Sequence, residues 1–379
     1  ILGKGIVPFM RLFATTPFSM EKPVCRELMR LHLGYTDIRE GRVYFESDGK
    51  GLARACVNLR GADRIFWELA SFDARSFDEL FAQIVKIEWA NIISQRGKIH
   101  VSAKCARSKL MSVPDVQRIS KIAIIKAMRR RFPIDNFAEN GEEYPVEIHI
   151  SRDRVTVALD CCGESLHKRG YRVKTAPAPL RETFAAGLLN LIGYKGTRPF
   201  VDPFCGSGTL PIEAAMIALN IAPGMKRNFA CERFCGFESV YFEEARREAK
   251  KAVLDVPVKI FASDISKEME ELTRFHAARA GVESYITLRT CAAAECMVPA
   301  SSGMLLTNPP YGQRLGKQKE MEQVSEQIRL LLLHFSGWDR AVLSGDKGFE
   351  QNVRRADKIR RFYNGNIECN LYSYFAQNQ

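Results

Sequence analysis

Between residues 200 and 344 short apolar runs alternate with amphipathic stretches, and this alternation restricts the fold more than any other feature of the chain. Candidate strands lie at 200–202, 259–264, 285–289, 304–307 and 341–344, and helical periodicity at 210–220, 242–253, 267–280 and 319–335, with a further helix at 181–191 ahead of the first strand. Strands joined through helices run parallel, so a doubly wound α/β sheet is expected. The end departs from the pattern. Residues 358–363 and 367–375 flank Asn364-Gly365, a strong type I′ turn signal, so the sheet is expected to close with an antiparallel hairpin.

The N-terminal part reads as two smaller α+β units. A strand at 12–15, a helix at 21–33 ended by Gly34, a strand at 41–46 and a helix at 49–58 suit a ferredoxin-like unit. From Ser76 onward come a helix at 77–89, a strand at 98–104 and a helix from Pro114 to about Arg131, followed by a hairpin of 147–150 with 155–159 around Arg152-Asp153. In the helix opened by Pro114, Val116, Ile119, Ile122 and Ile125 are expected to face a core, leaving Lys121, Lys126, Arg129 and Arg130 to point elsewhere. The division adopted is 10–65, 66–165 and 166–379. Met10 stands directly before the first strand and is the expected natural start, with residues 1–9 a leader or an added extension.

Charge locates a second function. The chain carries a formal +12, and residues 96–131 hold 11 basic side chains against the single acid Asp115. That stretch is expected to bind a polyanion through Lys104, Arg107, Lys109, Lys121, Lys126, Arg129 and Arg130, although a solvated helix face would show the same run. The eleven cysteines are irregularly spaced and odd in number, which fits reduced cytosolic thiols better than disulfides. Cys231 and Cys235 could begin a zinc site, but no second pair with adjacent histidines accompanies them, so no metal is expected. No uninterrupted apolar run is long enough to span a membrane.

Three loops carry the chemistry. Asp202, Pro203, Phe204, Cys205, Gly206, Ser207, Gly208 and Thr209 connect a strand to a helix; Gly206 and Gly208 let the backbone approach a ligand, and the acid can hold an ammonium group. A tight structural turn would also account for the glycines, and no Lys-Ser/Thr follows to make a phosphate loop. Asp264 ends the next strand, where a carboxylate can take both ribose hydroxyls or cap the following helix. Asn308-Pro309-Pro310-Tyr311 follows an apolar strand. There the Asn308 amide oxygen and the Pro309 carbonyl can accept from a planar amine, Pro309 and Pro310 stiffen the loop, and Tyr311 can stack on a base.

These residues resemble the class I S-adenosylmethionine-dependent methyltransferases whose NPPY-type motif serves exocyclic amino groups. Residues 10–165 are similar to the ferredoxin-like plus THUMP module of RNA-modifying enzymes. The combination resembles the THUMP-containing guanine-N2 RNA methyltransferases, particularly the bacterial branch acting on 23S ribosomal RNA. Phe13-Ala-Thr-Thr, Asn58-Leu-Arg-Gly-Ala-Asp63, Arg169-Gly-Tyr171, Ala178-Pro-Leu-Arg-Glu-Thr183, Asp202 to Thr209 and Thr307 to Gly312 carry the likeness. It implies a Rossmann-like seven-stranded methyltransferase domain at 166–379. Within it the cofactor S-adenosylmethionine is expected at Glu182, Thr183, Asp202 to Thr209, Asp264, Ile265 and Asn308, with catalysis at Asn308, Pro309, Pro310 and Tyr311. The family commonly places an acid for the adenine amino group where this chain has Ala292; either Glu295 or a backbone group substitutes, or cofactor affinity is lowered.

The implied reaction is in-line displacement by an amine of an unpaired or flipped guanosine, with RNA as partner, in the cytoplasm. Three alternatives remain open: transfer RNA in place of ribosomal RNA, a DNA adenine-N6 or cytosine-N4 amine, and an RNA-binding protein with an inactive catalytic domain. Oligomeric state is not legible.

Overall fold

The structure is a computed structural model that describes residues 9–134, 136–173, 180–310, 318–364 and 367–376. Its N-terminal strands β1 (Met10–Thr15), β2 (Asp37–Arg39), β3 (Arg42–Ser47), β4 (Arg64–Asp73), β5 (Lys98–Ala106), β6 (Glu143–Ser151) and β7 (Arg154–Asp160) form one sheet in the order β2-β3-β1-β4-β7-β6-β5. The strand β4 pairs antiparallel with β1 at one end and with β7 along most of its length, so it belongs to both N-terminal units. The expected division at 65/66 falls inside it. A bulge between Glu68 and Ala70 breaks its alternation, which is why its period of two was not visible in the sequence.

Alternate residues of these strands face four helices, α1 (Glu21–Arg30), α2 (Gly49–Asn58), α3 (Phe77–Ile84) and α4 (Val113–Arg129), across one continuous apolar core. Asp48 and Ser76 cap α2 and α3 through the amides of Gly51 and Glu79. On α4 the expected core face holds for Val116, with Ile119 and Ile125 packed at its edge, and is corrected at Ile122. Val116, Ser120, Ala123, Ile124, Ala127 and Met128 are buried, whereas Ile122 is exposed. Steps of three residues drift backward around a helix of 3.6 residues per turn, and only a mixture of threes and fours stays on one face. The hairpin between β6 and β7 turns on Arg152 and Asp153, both at positive φ, as a type I′ turn requires.

The second sheet contains β8 (Phe200–Asp202), β9 (Ile260–Asp264), β10 (Ile286–Thr290), β11 (Met304–Thr307), β12 (Asp339–Ser344), β13 (Lys358–Asn364) and β14 (Ile367–Tyr374), ordered β10-β9-β8-β11-β12-β14-β13. The first five run parallel, and β14 is antiparallel to both of its neighbours. Its helices are α5 (Glu182–Leu191), α6 (Thr209–Ala218), α7 (Ser239–Lys251), α8 (Lys267–Ala280), α9 (Gln318–His334) and the single turn α10 (Phe349–Asn352). This is the expected Rossmann-like seven-stranded sheet with its terminal hairpin; the Gly365 of the expected turn lies outside the described residues. The strand order reverses between β8 and β11, which opens a crevice at their carboxyl ends.

One helix does not serve its own sheet. Phe242, Ala245 and Ala249 of α7 join the N-terminal core, Phe229 stacks on Phe242, and Lys50 and Arg54 of α2 pair with Glu244 and Glu248. The two halves therefore share a core. At their seam the buried, free thiols of Cys56, Cys161, Cys162 and Cys231 are neighbours.

Candidate active site

The crevice is lined by the ends of β8, β9 and β11. After Asp202 the chain turns tightly: the Cys205 amide donates to the Ser263 carbonyl (3.0 Å) and the Gly208 amide to the Cys205 carbonyl (2.8 Å). Gly208 has φ +87°, and a Cβ there would meet the Thr273 Cγ2 at 2.6 Å, so glycine is required by both backbone and space. Helix α8 props the loop from behind, through the Thr273 hydroxyl on the Gly206 carbonyl (2.7 Å) and His276 Nδ1 at 3.0 Å from the Ser207 carbonyl.

Asp264 accepts from the amides of Gly206 (2.9 Å) and Ser266 (3.0 Å), one on each oxygen. It is not the cap of α8; that place belongs to Ser266, which accepts from the Met269 amide. Each Asp264 oxygen keeps a lone pair, and a hydroxyl pair such as a ribose offers would complete it. Ile265 beside it is apolar and 78% exposed.

Asp202 is buried and takes the Thr307 hydroxyl at 2.6 Å and the Phe204 amide at 3.2 Å. Burial pushes its carboxyl up to about 7, against the pull of the Thr307 hydroxyl, and the neighbouring Asp264 adds to the rise. Directly after Thr307, the Asn308 amide oxygen is buried with no hydrogen-bond partner among the described residues, and Pro309 behind it is buried. Leaving a buried acceptor unsatisfied costs about 1–3 kcal/mol, which an incoming N–H donor would remove. Tyr311 lies outside the described residues.

The start of α5 is arranged by residues that the sequence did not single out. Arg172 donates to the Leu180 carbonyl at 3.3 Å and to the Thr209 hydroxyl, and lies 3.6 Å from the buried Glu182 carboxylate. Burial raises the Glu182 carboxyl above its ordinary range, and its second oxygen has no partner among the described residues. The Thr183 hydroxyl is donated to Asp63 of the N-terminal half. Arg169 forms a buried pair with Glu213 (3.4 Å) and donates to the Arg60 carbonyl, while Tyr171 donates to the same Glu213. One motif of the N-terminal half, Asn58 to Asp63, thus meets two later ones, through Arg169 and through Thr183. At the end of β10, Ala292 offers only backbone polar groups, and Glu295 stands exposed one short turn further on.

The S-adenosylmethionine fit can be judged from these groups. Asp202 and the free Glu182 oxygen suit an ammonium, Asp264 a diol, Ile265 the face of a base, and Gly206 leaves open space where a Cβ would project. The residues fit the group.

The expected polyanion surface divides in two. Lys104 projects from the sheet face opposite α4 and is paired with Glu147 at 2.8 Å, because odd and even residues of β5 point to opposite faces. On α4, Lys121 is paired with Glu139 at 2.8 Å, Arg130 donates to the Val85 carbonyl, and Lys126 lies over the Phe81 ring. Arg107 and Lys109 occupy the connection between β5 and α4, where the Lys109 amide donates to Asp153. Cys231 and Cys235 do not act as a pair: Cys231 faces the other thiols of the seam, and the Cys235 amide donates to the Tyr144 hydroxyl.

Comparison with known proteins matches residues 169–373 to an RMKL-like methyltransferase domain, 11–66 to an RlmL ferredoxin-like domain and 74–160 to a THUMP domain. YpsC of Bacillus subtilis, a candidate RNA methyltransferase by name, is 40% identical over 97% of this chain and 96% of its own length. The ribosomal RNA large subunit methyltransferase K/L of Syntrophotalea carbinolica is 33% identical over 96% of this chain, which spans only 53% of that protein. Among solved structures, a candidate methyltransferase complexed with SAH superposes with a TM-score of 0.93 at 35% identity, covering 98% of this chain and 99% of that one. A Listeria monocytogenes protein named a predicted N6-adenine-specific DNA methylase gives 0.92 at 34%, covering 98% and 97%.

Proposed function

The chain belongs to the RMKL-like methyltransferase family, and from that premise we propose that it transfers the methyl group of S-adenosylmethionine to the exocyclic N2 amine of a guanosine in RNA, first of all 23S ribosomal RNA. The observation that carries the reading is the unpartnered Asn308 amide oxygen at the rim of β11, one residue from the Thr307 that holds Asp202. The cofactor and amine sites are thereby one residue apart along a rigid strand end.

When bound, S-adenosylmethionine supplies an electrophilic methyl on a sulfonium. Asp202 holds the ammonium end, Asp264 the ribose, and the Asp202 to Thr209 backbone fixes the distance between them. Asn308 Oδ1 and the Pro309 carbonyl accept from the two N–H bonds of the amine. This fixes its plane and returns electron density to nitrogen as it attacks. No dedicated base is needed, because the methylated nitrogen is acidic enough to lose its proton to water. The guanosine must be unpaired or flipped for its amine to reach a strand end inside a crevice.

RNA is favoured over DNA by the N-terminal half: the THUMP match, and the cationic α4 and its approach. The K/L relatives act on large-subunit ribosomal RNA by name, and the chain spans about half their length. An RNA substrate also places the protein in the cytoplasm. Incubation with labelled S-adenosylmethionine and ribosomal RNA, transfer RNA or DNA tests the reading. Label in ribosomal RNA is expected; label confined to transfer RNA moves the substrate, label confined to DNA overturns the RNA assignment, and no label with tight RNA binding makes the protein a binding module.

A further inference from the structure

The terminal hairpin carries a feature that the methyl transfer does not use. Tyr363 near the tip of β13 is 39% exposed, and its ring lies edge-on to that of Phe18 at 6.4 Å between centroids. Phe18 comes from the loop between β1 and α1 and is 45% exposed, although Met20, two residues on, is buried against Gly187 of α5. Ser19 between them has φ +69°, a conformation that a serine seldom adopts, and it separates a buried Met20 from an outward Phe18.

The sheet register places this pair relative to the reaction. Thr307 is level with Val342, Tyr372 and Ile359 across β12, β14 and β13. Tyr363 stands four residues further toward the carboxyl ends, so with ~4.8 Å per strand and ~3.4 Å per residue it lies roughly 20 Å from Thr307, on the rim side. Arg361 precedes it on the same face of this edge strand, exposed and 3.2 Å from Glu368, whereas Arg360 points to the opposite face with the buried Phe362. Cations on an edge strand commonly guard against pairing with another sheet. That purpose accounts for the arginines and not for two half-open rings, which by themselves would invite association.

We propose that Phe18 and Tyr363 form a stacking platform for the unpaired bases that flank the target nucleotide, with Arg361 holding the adjoining phosphate. The occupant is single-stranded RNA, and this rests on the functional reading above. A target that is unpaired or flipped brings an open strand to the rim, and a strand of a few nucleotides covers the distance to the pair. Bases have a π face on either side and stack on aromatic rings without regard to sequence, while guanidinium groups suit phosphate oxygens. The platform joins the two halves of the molecule, so the RNA segment it holds also spans them.

Phe18→Trp supplies the probe, because the native tryptophans are already covered: Trp89 and Trp338 are buried, and Trp67 packs edge-on to Phe237. Titration with a single-stranded oligoribonucleotide is expected to quench the new emission, and S-adenosylmethionine alone is not. The double variant Phe18→Leu, Tyr363→Leu keeps apolar bulk without rings. Its KM for RNA is expected to rise about tenfold or more, with kcat and cofactor affinity within about twofold of wild type. Unchanged emission at saturating RNA, or a wild-type KM in the double variant, overturns the platform while the wild type still methylates RNA. A wild type that methylates DNA alone overturns the functional reading instead, and the ribonucleotide quench then decides the platform by itself.

Discussion

Thr183, the second residue of α5, donates its hydroxyl to the carboxylate of Asp63, which lies in the other half of the molecule beside β4. Arg181, just ahead of the same helix, has its guanidinium 4.0 Å from that carboxylate. The helix start that carries Glu182 is thus held by the half that is expected to hold RNA.

Asp63→Ala removes that hold. A loss of about 1.5–3 kcal/mol is expected, the range for hydrogen bonds to charged groups, together with a several-fold weaker affinity for S-adenosylmethionine. Asp63→Asn keeps an acceptor oxygen and should lose less of both. Urea titration and calorimetric cofactor binding on the two variants measure the difference.

The buried pair of Arg169 and Glu213 predicts a larger effect. Arg169→Met leaves Glu213 inside the protein without its countercharge, at a cost of about 3–5 kcal/mol. Replacing both, Arg169→Met with Glu213→Leu, restores part of it. Denaturant midpoints of the single and double variants decide the sign of that restoration.

The raised carboxyl of Asp202 gives two opposite pH trends. Between its ordinary value of 3.8 and about 7 the folded chain holds a proton that the unfolded chain releases, so this group's contribution to stability falls as pH rises through that window and levels off above it. Ammonium binding needs the ionised carboxylate, so cofactor affinity rises with pH, about tenfold per unit below 7, and flattens above. Asp202→Asn is expected to remove both slopes. Binding of S-adenosylmethionine followed from pH 5.5 to 8.5 checks the direction.

On α4 the ion pairs rank the cations. Lys121 is engaged by Glu139, so Lys121→Gln should alter the salt dependence of RNA binding less than Lys126→Gln. Removing one cation from a phosphate lowers the log–log slope of affinity against salt by about 0.7–0.9. Neither substitution should change cofactor affinity, because α4 packs in the N-terminal core, away from the crevice between β8 and β11.

What could be read in advance follows from where the information sits. The strands of the second sheet emerged within a residue or two because most are short apolar runs and the last two flank a turn signal; the Asn308 rim and the Asp202 loop stood out because their geometry is local. Ser266, not Asp264, proved to be the cap of α8, a choice that needs the backbone to settle. The hold of Asp63 on Thr183 joins residues 120 positions apart, and nothing in either neighbourhood names the other. The same is true of α7, whose amphipathic face is plain but whose partner, α2, is not. β4 escaped because its bulge breaks the alternation, and Ile122 of α4 was misplaced because four isoleucine and valine positions at intervals of three looked like one stripe.

The central claim is that Asn308 orients the N2 amine of guanosine for transfer. Its most direct test is nucleoside analysis by mass spectrometry of ribosomal RNA treated with the wild type or Asn308→Ala and S-adenosylmethionine. N2-methylguanosine with the wild type and none with the variant, at nearly unchanged cofactor affinity, is the predicted result. Methylation at another base, or undiminished N2-methylguanosine from Asn308→Ala, would contradict it.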